Sequence, residues 1–265
     1  MQQAEDFRAE CDGVKALIAP LSDADFEKKT AFKDWTINDV IGHLHMWNRA
    51  AERSLNAPDE FNEMLQGVYA HREKGGTLPQ FEYKWRNGMS GRALADAWAE
   101  TYVEVADAFA AADPSQRLPW GGPSMSARSS ISARLMETWA HAQEIYDVLG
   151  QTRQNRDRIR NIVVLGVNTF GWTYAVREET PPGPMPFLRL TAPSGDIWTY
   201  GDESTVERIE GAAEEFCQVV TQVRNIADTN LKVTGPVATD WMSKAQCFAG
   251  AASPPPAPGT RMTAA

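Results

Sequence analysis

The predicted helix over residues 126–149 most limits the possible folds, because it has two faces that both suit a protein interior. A helix turns once every ~3.6 residues, so residues three or four positions apart share a face. One face is apolar, and the other presents Glu137, His141 and Glu144. An exposed face of this kind would carry lysine or arginine partners, which it lacks. We therefore expect this helix to lie in a bundle and to line a polar cavity.

Glu137 and His141 are spaced to place a carboxylate beside an imidazole on one helix face. His43, at the edge of the apolar stripe of a second helix that begins at Thr36, is the best candidate for a third ligand. Two imidazoles and one carboxylate suit a divalent metal, with Zn²⁺ as first choice and Ni²⁺, Fe²⁺ or Mn²⁺ as alternatives. We also predict that Glu144, one turn beyond His141, orients that ligand by accepting its hydrogen bond.

Two simpler interpretations compete with a metal site. His43 could be a hydrogen-bonded histidine of the core. Glu137 and His141 could form an exposed ion pair, which contributes only a few tenths of a kcal/mol. His45 is a weaker ligand candidate than His43, because the two side chains point roughly 200° apart around the helix.

Apolar spacing predicts the remaining helices of the N-terminal part. Thr36 and Asp39 have the spacing of a helix-capping pair, which marks the start of the helix with His43. Residues 76–91, with Pro79 and Gly88, are expected to form a packed loop. The other predicted helices cover residues 3–19, 59–73, 91–112 and 159–177.

The pattern changes after the proline-rich segment at residues 181–184, where we place a domain boundary. Alternating apolar residues predict a hairpin of two strands and a third strand farther along. Ser204 and Glu207 have capping-box spacing and predict the start of a helix. The strands are expected at 186–192, 196–200 and 231–234, and the helices at 204–223 and 236–248. The expected domains are a bundle at 1–178, a small domain at 186–250 and a disordered tail at 251–265.

The composition limits the class of partner. The chain has 265 residues, of which 43% are hydrophobic, and its net charge of -9 argues against nucleic acid or an anionic membrane as the main partner. The three cysteines stand far apart, without the pairing typical of disulfide frameworks or thiolate metal sites. The N-terminus lacks a signal-peptide pattern, and no apolar run reaches the ~20 residues of a membrane span. We expect a cytoplasmic monomer or homodimer that acts on a small molecule.

Two motifs carry a resemblance to a known family. The segment Trp35-Thr-Ile-Asn-Asp-Val-Ile-Gly-His43-Leu and the pair Glu137-x-x-x-His141 resemble the DinB/YfiT-like metalloproteins. Within these, the chain looks like the branch with the mycothiol-dependent maleylpyruvate isomerase N-terminal domain. The resemblance implies a metal held by His43, Glu137 and His141 in a helical bundle. It also implies a small α/β domain after the bundle, so the expected fold class is α+β and mainly α.

The resemblance implies an enzyme in which a low-molecular-weight thiol adds to a small electrophile. We expect an isomerase or S-transferase that acts on an unsaturated acid or a thioester. The alternatives are a thiol-independent hydratase or hydrolase, and a non-enzymatic protein that binds a metal or a lipid-like ligand. The isomerase also uses an arginine late in its C-terminal domain to bind substrate. Residues 241–248 contain Lys244 but no arginine, so the chain departs from the isomerase there.

Overall fold

The structure, a computed structural model, describes residues 1–261. The chain forms two compact units, Met1–Leu149 and a second unit that begins at Gly150. The first unit is built from helices, and the second combines a four-stranded sheet with short helices. The predicted mainly-α, α+β fold class is therefore confirmed.

The first unit contains six helices and a short hairpin. The hairpin, formed by β1 (Arg117–Leu118) and β2 (Met125–Ser126), comes just before the last helix. The helices are α1 (Gln2–Ile18), α2 (Ile37–Asn56), α3 (Pro58–Glu73), α4 (Leu78–Trp85), α5 (Gly91–Ala111) and α6 (Ala127–Val148).

Four of these helices form the bundle that positions the site. Helices α1 and α2 each pack against both α5 and α6. Fully buried aromatic side chains fill the space between them, among them Phe7, Trp98, Phe109 and Trp139. Burying such large side chains supplies most of the driving force for packing. Because α2 and α6 are neighbours, residues far apart in the sequence meet between them.

Helix α4 replaces the loop that the sequence predicted at residues 76–91. Its first turn is capped by Thr77 and Gln80, whose side chains and backbone amides bond reciprocally. Pro79 lies within that turn, where its missing amide hydrogen costs nothing. The helix packs against α2 and α3. Arg86 follows it and covers Gly42 of α2 so closely that a Cβ atom there would lie 1.8 Å from the guanidinium.

The second unit is organised around a mixed sheet. The strand order is β4-β3-β5-β6, with β3 antiparallel to β4 and parallel to β5, and with β5 antiparallel to β6. Helix α9 packs against β3 and β5, and α7 packs against α9. The elements are α7 (Arg160–Asn168), α8 (Phe170–Ala175), β3 (Phe187–Thr191), β4 (Ile197–Tyr200), β5 (Arg208–Ala212), α9 (Ala213–Val220), β6 (Lys232–Thr234) and α10 (Pro236–Met242).

Three predicted helices of the second unit differ from the structure, and the simplest case is the helix predicted at 236–248, which ends at Met242 as α10. The helix predicted over 159–177 is interrupted at Thr169, whose hydroxyl donates to the carbonyl of Leu165 at 2.8 Å. The helix predicted from Ser204 begins only at α9, after strand β5. Ser204 does accept from the amide of Glu207 at 3.0 Å, but the Glu207 carboxylate accepts from the amide of Ala238 at 2.9 Å instead of closing a capping box.

The boundary and the tail also differ from the expected division. Helices α7 and α8 belong to the second unit, where Phe170 packs edge-on against Trp241 at 5.0 Å. The unit boundary therefore precedes the proline-rich segment. In the tail, residues up to 261 contact this unit, since Asn225 donates to the carbonyl of Pro256 at 2.8 Å and Arg261 donates to the carbonyl of Gln222 at 3.5 Å. The rest of the predicted disordered tail, 262–265, lies outside the described residues. Within residues 1–261, no helix has both the length and the apolar character of a membrane span.

The capping of α2 generates a prediction. The Thr36 hydroxyl accepts from the amide of Asp39 at 3.1 Å and donates to its carboxylate at 2.7 Å. Thr36→Ala removes both bonds and should lower the free energy of unfolding by about 1 kcal/mol. Urea denaturation in a chelator measures this without a contribution from bound metal. Thr36→Ser is the matched control and should keep most of the stability. Equal stability of all three proteins would contradict the capping role.

Candidate metal centre

Helices α2 and α6 bring His43, Glu137 and His141 together. The Glu137 Oε2 atom lies 3.5 Å from His43 Nε2 and 3.3 Å from His141 Nε2. One potential ligand atom from each residue lies within 4.8 Å of the other two. The three residues that the sequence singled out therefore share one place in the bundle.

These distances fit a shared divalent metal. Metal bonds of about 2.0–2.2 Å place neighbouring ligand atoms roughly 3–3.5 Å apart. The separations of 3.3 and 3.5 Å fall in that range. The donor set, two imidazole nitrogens and one carboxylate oxygen, also suits Zn²⁺ and its neighbours among the transition metals.

The buried carboxylate of Glu82, on α4, fixes the orientation of His43. Its Oε1 atom accepts from His43 Nδ1 at 2.7 Å and from the indole nitrogen of Trp47 at 3.1 Å. Glu82 is only 1% exposed. With Nδ1 donating to Glu82, Nε2 is the nitrogen that faces Glu137 and His141, and it is the one that can give its lone pair to a metal. A carboxylate in this position is typical of histidine metal ligands.

Two aromatic rings cover the imidazoles. Trp35 stacks on His141 with ring centres 5.7 Å apart, and Phe32 meets the same imidazole edge-on at 5.2 Å. The turn between them is tight, since Lys33 and Asp34 both have positive φ angles, 54° and 56°. Such angles are uncommon for residues other than glycine. This turn places two aromatic rings against the imidazole of His141 and so limits its exposure to water.

The charges at the centre influence each other strongly. Burial raises the pKa of Glu137, but hydrogen bonds with His141 and His43 outweigh it and hold the pKa well below its usual range. Burial lowers the pKa of His43, but the charge of Glu82 and bonds with Glu137 and Glu82 raise it to about 9. Burial lowers the pKa of His141, and the nearby His43 lowers it further. One carboxylate, that of Glu137, thus faces two imidazoles. A metal cation could take the place of the protons that these groups share.

His45 and Glu144 are the other two residues that the sequence analysis considered for the site. His45 is as buried as His43, but it faces away from the centre, and its ring lies edge-on to Trp85 at 5.2 Å. This agrees with the helical phase. Glu144 is buried on α6, one turn beyond His141. Its proposed role as the acceptor for His141 stays a prediction.

Glu82 is the residue that the sequence analysis missed. It lies in the segment that was interpreted as a loop, so its helical phase could not be assigned. The sequence did carry a signal, because Thr77 and Gln80 have capping-box spacing and Pro79 suits a first helical turn. A helix starting there would have placed Phe81 and Trp85, four positions apart, on one apolar face, with Glu82 beside it.

Comparison with known proteins identifies the family. Residues 7–146 match the sequence model of the mycothiol maleylpyruvate isomerase N-terminal domain. The chain belongs to this family. The match includes His43, Glu137 and His141, and also Glu82, which bonds to His43. It confirms the resemblance drawn from the two motifs.

Relatives and solved structures agree with this assignment. Two Mycobacterium tuberculosis proteins, from strains CDC 1551 and H37Rv, are each 35% identical over 245 residues, which is 92% of this chain and 94% of theirs. Both are named only as uncharacterised proteins. The crystal structure of the mycothiol-dependent maleylpyruvate isomerase matches with a TM-score of 0.53 at 14% identity, over 82% of this chain and 87% of that one. A histidine-to-alanine mutant of that enzyme matches equally well. At this identity the likeness shows a shared fold.

The Glu82 contact generates a second prediction. Glu82→Gln keeps an oxygen acceptor but removes the negative charge behind His43, so zinc affinity should fall about 10-fold or more. Competition with a chromophoric chelator measures the affinity.

The matched control for this experiment is Glu144→Gln, which neutralises another buried carboxylate, one turn from His141. We expect a smaller loss of affinity in this variant. A larger loss in Glu144→Gln than in Glu82→Gln would show that the sequence-based choice of Glu144 was right and that Glu82 is secondary.

Proposed function

We propose that the protein is a metal-dependent enzyme that adds a low-molecular-weight thiol to a small electrophile, as an isomerase or S-transferase. The observation that carries this proposal is the convergence of His43, Glu137 and His141 at ligand spacing. Membership in the mycothiol maleylpyruvate isomerase family supports the thiol and the reaction class. Zn²⁺ is the metal that the donor set favours first.

Each residue around the proposed metal would have a separate role in the reaction. A divalent metal held by the three ligands would supply Lewis acidity, which polarises a carbonyl group and lowers the pKa of a thiol or of water. Glu82 holds the proton on His43 Nδ1 and so keeps Nε2 available as a ligand. Trp35 and Phe32 shield the imidazole of His141 from water, which strengthens electrostatic interactions at the centre. Three protein ligands leave coordination positions for exchangeable groups, as catalytic zinc sites require.

The first test of this proposal is metal content. His43→Ala should abolish stoichiometric metal, because it removes one of three ligands. His45→Ala is the matched control, since it removes an equally buried histidine two residues away that faces Trp85. Elemental analysis of freshly purified proteins gives the metal per chain. Loss of metal in the His45→Ala variant alone would contradict the proposed ligand set.

The second test separates a thiol-dependent enzyme from one that uses water. In Co²⁺-substituted protein, N-acetylcysteine should add a sulfur-to-metal charge-transfer band, because the open positions would accept its thiolate. N-acetylserine, which has a hydroxyl group in place of the thiol, should add none. Cysteine does not occur in the ligand group found among the described residues, so the band would come from the added thiol. If no common low-molecular-weight thiol produced a band, the hydratase or hydrolase alternative would be preferred.

A further inference from the structure

A hydrogen-bonded pair of buried side chains joins α2 and α6 beside the candidate metal centre. Arg134 lies on α6, one turn before Glu137, and Asn48 lies on α2 next to Trp47. The Arg134 Nε atom donates to Asn48 Oδ1 at 3.0 Å. Arg134 is 2% exposed and Asn48 is fully buried.

Each member of this pair keeps a donor that the protein does not use. Arg134 Nη2 and Asn48 Nδ2 are buried, and neither has an acceptor within residues 1–261. Buried donors are normally paired, because removing an unpaired one from water is costly. The two donors belong to residues that already touch, so one acceptor group with two oxygens can serve both. A carboxylate is such a group, and guanidinium groups bind it well.

The charges around Arg134 favour an anion once a metal is bound. Three groups act on its guanidinium through their charge: Glu137 on α6, Glu82 on α4 and the thiol of Cys11 on α1. Burial raises the pKa of Cys11 well above its usual value, so this thiol is neutral. Both imidazoles would be neutral as metal ligands, so two carboxylates and one guanidinium remain, and a divalent metal would give this group a net positive charge. A monovalent anion would neutralise that excess.

We propose that Arg134 and Asn48 form a binding site for the carboxylate group of the substrate. This inference rests on the proposed function and narrows its substrate class from electrophiles in general to unsaturated acids. The acid group would bind Arg134 Nη2 and Asn48 Nδ2, and the electrophilic part of the same molecule would face the metal. Because Arg134 lies on the same helix as Glu137 and bonds to the helix that carries His43, the acid group would be held next to the proposed metal.

Acrylate and acrylamide provide a direct test, since they have nearly the same shape and differ in charge. Calorimetric titration of the zinc-loaded, full-length protein should show that acrylate binds at least about 10-fold more tightly than acrylamide. Arg134→Met and Asn48→Asp should each weaken acrylate binding about 10-fold or more, without changing zinc stoichiometry or acrylamide binding. Asn48→Asp keeps an oxygen for Arg134 Nε and replaces the free donor, so it tests the site even if Arg134→Met does not fold. Arg128→Met, an exposed arginine on α6, is the control and should bind acrylate like wild type.

The results separate this inference from the metal proposal, because zinc is measured in the same samples. Zinc binding without a preference for acrylate would overturn the carboxylate site and leave the metal centre in place. Acrylate affinity that persists in both variants would overturn it as well. A preference for acrylate that depends on Arg134, in a protein that binds no zinc, would support the carboxylate site, refute the metal centre and show that the anion needs no metal to balance the charges around Arg134.

Discussion

The packing of α2 against α6 is the contact on which the rest of the first unit depends. It joins His43 to Glu137 and His141, residues separated by more than half of that unit. Aromatic burial among α1, α2, α5 and α6 stabilises the contact. The polar groups between these helices therefore need not contribute to the stability of the bundle. A bundle with such a core can keep a cluster of charged groups inside, where Glu137 pairs with both His43 and His141.

Helix α4 adds the part of the centre that the four bundle helices lack. It supplies Glu82, whose carboxylate bonds both His43 and Trp47 and so locks two α2 side chains at once. The positive-φ turn at Lys33 and Asp34 adds the aromatic rings that contact His141. The centre is therefore assembled from a bundle, an accessory helix and a loop. Helix α4 fixes His43 through Nδ1, and the loop packs against the ring of His141.

Sequence reasoning could predict the bundle, because helical periodicity and a capping pair at Thr36 are local signals. It also placed His43, Glu137 and His141 together, since helical phase and family resemblance agreed on them. It missed α4, where Pro79 and the flanking glycines suggested a loop, and with it Glu82. It also mistook β5 for a helix, because the side chain of Glu207 caps α10 rather than its own turn. Such long-range competition for a side chain is invisible in a local pattern.

The contact between Gly42 and Arg86 makes the two positions depend on each other. A Cβ atom at position 42 would lie 1.8 Å from the Arg86 guanidinium, which donates to the carbonyl of Asn38 at 2.8 Å. Because this guanidinium is the end of a flexible side chain, a larger residue at position 42 would push it aside and cost the protein that buried hydrogen bond. Since His43 is the next residue and Glu82 lies one turn before Arg86, such a rearrangement would take place directly beside the candidate centre.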